Sequence, residues 1–216
     1  MKKLKFILAA ILGLSLTVCA CTASDDEMEQ PATERPDEPT DSDSDSTFGM
    51  AGSTLIVYYS FTNNSHIIAT ELRQQTQADI LRVEPADENV DYNDYSIGLP
   101  MMNLIKEHPE DPASYPAIKT TAENLSDYDT VFIVAPLWWN NMAAPLQTFL
   151  FRYGAEMEGK YIGLIVSSGE SSIEGVEADV KRLIPQGKYL SPSLWILRSR
   201  TDQCRTLIEE WLKIIH

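Results

Sequence analysis

Residues 53–72 read STLIVYYSFTNNSHIIATEL, and this stretch decides the fold. The β-forming run Leu55–Tyr59 is followed by hydroxyl and amide side chains at residues 60–65, and then by a helical spacing of apolar residues. A strand that turns sharply into a helix directs backbone N–H groups and the positive end of the helix dipole at one point. We therefore predict an anion site, for a phosphate, in this loop. The alternative is that these side chains only cap an ordinary helix.

The composition of this loop excludes two common kinds of phosphate site. Residues 60–65 contain neither Lys nor Arg, so the G-x-x-x-x-G-K-[ST] signature of nucleotide triphosphatases is absent. They also contain no Gly, which excludes the G-x-G-x-x-G turn of dinucleotide-binding domains. An anion in this loop would be held by neutral donors. The loop alone leaves phosphate binding and simple helix capping equally open.

Strands and helices alternate along the rest of the chain. We predict strands at 55–59, 79–83, 130–135, 161–166 and a proline-interrupted 189–197, with helices at 65–75, 144–153, 176–183 and 201–215. Such alternation predicts an α/β fold, a doubly wound five-stranded parallel sheet with helices on both faces. The segment 84–125 departs from the alternation; it holds five prolines, and we expect one helix near Met101–Glu107. Loops of this length in a compact domain are often functional.

Ligands of such sheets bind outside the carboxyl ends of the strands, where three loops of this chain are expected to converge. The first is residues 60–65. The loop after the third strand contains Pro136, Leu137, Trp138 and Trp139, and the loop after the fourth contains Ser168, Gly169 and Glu170. A phosphate site beside a flat aromatic system describes flavin mononucleotide, FMN. The alternative for the two tryptophans is packing in the core.

Residues 54–216 resemble the flavodoxin family at three separate motifs. SFTNNS is similar to the family's S-x-T-G-N-T loop, and YDTVFIVAPLWWNNMAAPLQTFL is similar to Y-D-x-I-x-x-G-x-P-x-W-W-x-x-M-x-x-P. EGKYIGLIVSSGESSI corresponds to a strand and loop that usually end in G-G-S-G. Asn63 stands where the family has glycine, and Asn tolerates positive φ better than most residues. Glu170 and Ser172 replace two glycines beside the expected flavin ring.

The resemblance implies a set of FMN-binding residues. Side chains of Ser60, Thr62, Asn64 and Ser65 and backbone N–H groups of Phe61 and Asn63 would bind the phosphate. Pro136, Leu137, Trp138 and Trp139 would flank the ring, and Ser168, Gly169 and Glu170 would border its polar edge. The implied function is redox chemistry on FMN, with a redox partner or a small, quinone-like electron acceptor. The alternative is a non-redox binding module that kept the fold and lost the flavin. A phospho-relay receiver is excluded, because the first and third strands end in Tyr59-Ser60 and Ala135-Pro136 without the required acidic residues.

The N-terminus carries an export pattern. A basic start, the apolar run 6–18 and the sequence Val18-Cys19-Ala20-Cys21 resemble the signal peptide of a bacterial lipoprotein. We therefore predict a signal peptide at 1–20, lipidation of Cys21, an acidic disordered tether at 21–50 and a folded domain at 51–216. The protein would be an exported lipoprotein on the periplasmic face of the outer membrane or on the cell surface. The alternative is a plain signal peptide.

Charge, cysteine and histidine content restrict the classes of partner, cross-link and metal site that the domain can have. Residues 1–48 hold four basic and ten acidic residues, so the chain's net charge of −15 leaves −9 for the remainder. An acidic domain disfavours nucleic acid and anionic lipid, so any membrane contact would be through the lipid anchor. Cys204 is the one cysteine after residue 21, which excludes a disulfide within the folded domain. The three histidines form no metal-binding pattern. Nothing in the sequence indicates an oligomeric state.

Overall fold

The computed structural model describes residues 52–216, which form a sheet covered by helices on both faces. The predictions for residues 1–20, Cys21 and 21–50 lie outside the described residues. In the part of the chain that is described, no helix is long and apolar enough to cross a bilayer.

The strands and helices follow the predicted order. The strands are β1 Thr54–Tyr58, β2 Asp79–Arg82, β3 Thr130–Trp138, β4 Asn141–Met142, β5 Tyr161–Ser168, β6 Lys188–Tyr189 and β7 Leu194–Leu197. The helices are α1 Asn64–Thr76, α2 Tyr95–Glu107, α3 Ala144–Tyr153, α4 Glu174–Leu183 and α5 Cys204–Leu212.

The sheet has five parallel positions, which confirms the predicted doubly wound fold. The strand order is β2-β1-β3-β5, and β6 and β7 share the position beside β5. β6 pairs with the start of β5, and β7 pairs with its last four residues. The proline-interrupted strand predicted at 189–197 is present as two short strands, β6 and β7, divided around Pro192, which has no backbone N–H to donate to the sheet.

Other differences from the sequence prediction involve two helices and a hairpin. α2 begins at Tyr95 rather than near Met101, because the Asp94 side chain accepts from the Ser96 N–H and Pro100 is accommodated inside the helix. α5 begins at Cys204 after a 3₁₀ turn over Arg198–Gln203, and it ends at Leu212. The antiparallel strand β4, which forms a hairpin with the end of β3, was not predicted.

Two apolar cores lie on opposite faces of the sheet, since successive side chains of a strand point to opposite sides. Val57 and Ile133 pack with α3 and α4 on one face, whereas Ile56 and Phe132 pack with α1 and α5 on the other. Burial on both faces explains the continuous apolar runs of β1, β3 and β5. The parallel register places the carboxyl ends of these three strands at one edge of the sheet.

Candidate functional site

The loop between β1 and α1 closes around a left-handed residue. Asn63 has φ 70° and ψ −14°, and its carbonyl accepts from the Ile67 N–H at 3.0 Å to begin α1. Asn is among the few residues besides glycine that adopt this conformation readily. The expectation that Asn63 takes positive φ is therefore confirmed.

The N-terminus of α1 is not capped by the side chain of its N-cap residue. The Asn63 side chain makes no capping hydrogen bond, and the first turn contains no acidic residue. The unpaired N–H groups of a first helical turn carry partial positive charge and favour an anion. This geometry gives no support to the alternative in which the loop only caps the helix.

The polar side chains of the loop are arranged unequally. Asn64 Nδ2 donates to Thr62 Oγ1 at 3.2 Å, and Thr201 Oγ1 donates to Asn64 Oδ1 at 3.4 Å. The Ser60 hydroxyl is buried and has no hydrogen-bond partner within residues 52–216. An unsatisfied buried hydroxyl costs about 1–3 kcal/mol, which a ligand oxygen at this point would relieve.

Arg82 is a functional candidate that the sequence reasoning missed. It is the last residue of β2 and pairs with Tyr58 of β1, and its Nη2 donates to the Ser60 carbonyl at 3.3 Å. A cation therefore lies beside the loop although the loop contains none. Burial raises the pKa of the Tyr58 and Tyr59 phenols, and the Arg82 charge offsets part of the rise. Arg82 is placed beside the loop by the register of β2 on β1, and residue spacing within one segment does not reveal that register.

The aromatic segment predicted as a loop after the third strand is a tight hairpin formed by the end of β3 and by β4. Leu137 pairs with Met142 and Trp138 pairs with Asn141. The turn residues Trp139 and Asn140 have φ 45° and 63°. Two turn residues with positive φ are the mark of a type I′ turn, a conformation that is strained for a tryptophan.

The two tryptophans lie in different surroundings. The Trp138 ring meets Tyr59 and Phe61 edge-to-face, with its centroid 5.6 Å from that of Tyr59 and 6.1 Å from that of Phe61. It therefore connects the hairpin to the loop of residues 60–65. Trp139 packs instead on α2, where a Cβ added to Gly98 would lie 2.1 Å from the Trp139 ring. The structure thus brings Trp138, and not Trp139, to Phe61 of the loop. A contact between either ring and a flavin stays a prediction.

The third loop is small and polar, as expected. Pro136 of β3 pairs with Ser167 of β5, which sets the two loops side by side. The buried Ser168 hydroxyl donates to the Ser171 carbonyl at 3.1 Å and accepts from Trp195 Nε1 at 2.7 Å. Gly169 and Glu170 are exposed, and a Cβ on Gly169 would meet no atom within 4 Å. This open edge leaves room for a ligand.

Two cavities lie away from these loops. One, of about 220 Å³, is lined by Ile162, Val180 and Tyr189. The other, of about 310 Å³, is lined by Ile97, Leu104 and Tyr115. The site at the sheet edge is therefore identified by its donors and aromatic side chains and not by cavity volume. Among the residues described, no group of three or more His, Cys, Asp or Glu is placed to hold a metal ion.

Comparisons with known proteins agree with this architecture. The model of a family described as Flavodoxin matches residues 53–215. A solved protein assigned as a flavoprotein from Bacteroides eggerthii is 28% identical, covers 76% of this chain and 98% of its own, and superposes with a TM-score of 0.59. A second solved protein assigned as a flavoprotein, from Bacteroides uniformis, is 23% identical, covers 75% of this chain and 98% of its own, and superposes with a TM-score of 0.58.

A third solved structure shares the fold at lower identity. It is a flavoprotein from Lactobacillus acidophilus in complex with FMN, at 17% identity, 71% and 98% coverage and a TM-score of 0.56. No curated protein matches the chain.

Proposed function

Because the chain belongs to the flavodoxin family, we propose that it binds FMN and serves as a redox protein. The observation that carries this proposal is the buried, unpartnered Ser60 hydroxyl beside the open N-terminus of α1. An FMN phosphate supplies the oxygen atoms that both features lack. The Lactobacillus acidophilus flavoprotein of the same fold was solved with FMN.

The residues divide between the phosphate and the ring of the cofactor. Ser60 and Thr62 would donate hydroxyl hydrogen bonds to the phosphate, together with backbone N–H groups of residues 61–65. Arg82 adds a positive charge beside them. Trp138 would border the ring, because it already contacts Phe61 of the phosphate loop. When bound, FMN supplies the electron-transfer chemistry.

The protein would set the affinity for FMN and, through its charges, the ease with which the bound flavin is reduced. The domain's excess of acidic residues opposes further negative charge at the site, which disfavours reduction of a bound flavin. Glu170 acts in the same direction, but it is exposed and therefore screened by water and salt. The phenols of Tyr59 and Tyr92 are neutral at neutral pH, as ordinary tyrosines are, and burial raises the pKa of both further. We propose a redox partner or a small quinone-like acceptor as the other reactant.

We also propose that the protein is an exported lipoprotein, held at the membrane through Cys21. The basic and apolar N-terminus and the Val18-Cys19-Ala20-Cys21 sequence support this proposal. The domain would then work at the periplasmic face of the outer membrane or at the cell surface.

The visible spectrum of the purified protein tests the function. Yellow protein, or colourless protein that turns yellow and stays so after gel filtration with added FMN, is the expected result. Colourless protein that does not bind added FMN would contradict the proposal and favour the non-redox binding module. That alternative is based on the replacement of three expected glycines by Asn63, Glu170 and Ser172.

A further inference from the structure

Asp179 is a buried carboxylate on the apolar face of α4. It lies between Val176 and Val180 of the core and is 7% exposed. Its Oδ2 accepts from the Met142 N–H at 2.9 Å and from Asn141 Nδ2 at 3.1 Å. Both donors belong to β4, the second strand of the hairpin whose first strand ends at Trp138. A buried charge survives only where such bonds satisfy it.

The other side of this carboxylate is tied to two further elements. Arg182 Nη2 lies 3.3 Å from Asp179 Oδ1 and donates to Gln147 Oε1 of α3 at 2.7 Å. Gln147 Nε2 in turn donates to the Met142 carbonyl at 2.8 Å. Arg182 Nη1 donates to the Tyr115 hydroxyl of the long 84–125 segment at 2.9 Å. Both backbone groups of Met142 are therefore held by a charged network.

Two glycines let helices close on the turn of the hairpin. A Cβ on Gly175 of α4 would lie 1.7 Å from the Asn140 carbonyl, and a Cβ on Gly98 of α2 would strike the Trp139 ring. A hairpin with two paired positions and a type I′ turn at Trp139-Asn140 is marginal by itself. Its position thus depends on α2, α3 and α4.

We infer that Asp179 is a positioning residue for the ligand's aromatic ring, acting through the Trp138–Asn141 hairpin. The inference rests on the proposed function, because it assigns the hairpin to one border of the flavin. Loss of the Asp179 charge lowers the fraction of molecules in which the hairpin is in place, and ligand affinity falls with that fraction. Residues 60–63 are held between β1 and α1 and meet the hairpin at the Trp138 ring, so we expect their contacts with the phosphate to remain.

Two flavins separate these contributions, because riboflavin has the ring of FMN without the phosphate. We expect Asp179→Asn to raise the Kd of FMN and of riboflavin by the same factor, about tenfold, as for one lost bond to a charged group. Thr62→Ala should raise the Kd of FMN alone. Glu209→Gln removes one carboxylate from an exposed ion pair on α5 and should change neither Kd.

Two outcomes would overturn the inference. One is a lower melting temperature for Asp179→Asn with both Kd values unchanged, which would make the residue merely structural. The other is a loss of FMN affinity that riboflavin does not share.

If Asp179→Asn does not fold, Gly175→Ala can be used to displace the hairpin instead, because its Cβ must displace the Asn140 carbonyl while α4 keeps its charges. It should weaken both flavins equally, and unchanged affinities would refute the inference. Wild-type protein that binds neither flavin would instead refute the proposed function, and this inference with it.

Discussion

Replacing Ser60 by alanine should stabilise the flavin-free protein and weaken its affinity for FMN. The Ser60 hydroxyl is buried without a partner, so its removal relieves a desolvation penalty of about 1–3 kcal/mol. For a domain of this size, such a gain raises the melting temperature by roughly 2–12 °C. In the proposed FMN complex the same hydroxyl would donate to a charged phosphate oxygen. Losing that bond should raise the Kd of FMN about ten- to a hundredfold.

Ser114→Ala is the matched control for this substitution. Ser114 is the other residue whose buried hydroxyl has no partner within residues 52–216, and it lies in the 3₁₀ turn Pro112–Ser114, away from the three loops. Its replacement should stabilise the protein by a similar amount and leave the Kd of FMN unchanged. The two variants therefore share the stability effect and differ in the binding effect.

The assay combines thermal melts of flavin-free protein with fluorescence titrations of FMN and riboflavin. Ser60→Ala should shift the melting temperature upward, weaken FMN and spare riboflavin. A lower melting temperature would show that the hydroxyl is satisfied in the empty protein. An unchanged Kd for FMN would remove Ser60 from the phosphate site, and an equal loss for riboflavin would place its role elsewhere.

Substitutions at three further positions test separate parts of the molecule. Asn63→Ala should destabilise the domain by about 1 kcal/mol, because alanine tolerates positive φ poorly, whereas Asn63→Gly should not; equal melting temperatures would contradict this. Glu170→Gln should raise the midpoint potential of bound FMN slightly, on the order of 20 mV for a water-screened charge, and potentials that coincide within error would mean that Glu170 does not act on the flavin. Cys21→Ser should release the protein from membranes, and unchanged fractionation with no lipid detected by mass spectrometry in the wild type would refute lipidation.

The fold was readable from the sequence because its signals are local. TVFIVA and YIGLIV are long enough to mark central strands, and the alternation with helices leaves one architecture. The positive φ of Asn63 was also predictable, because few other residues take that conformation. Local preference and tertiary structure agree at these positions.

The missed features depend on contacts between distant segments. Trp139-Asn140 lacks the glycine that usually signals a type I′ turn, so the hairpin was taken for a loop. Arg82 reaches the loop of residues 60–65 only through the register of β2 on β1. Asp179 has no evident role in the sequence until β4 is placed against it. No spacing within one helix or strand reveals such contacts.

The broken fifth position of the sheet has a consequence for self-association. Long, regular edge strands expose backbone groups that recruit strands of other chains, and this leads to aggregation. Here the outer strands are short: β2 and β7 have four residues each and β6 has two, with Pro192 between β6 and β7. Lys188 and Arg82 add charge at the two edges. If the chain is anchored to a membrane as proposed, these short edges would protect its crowded copies from joining sheet to sheet.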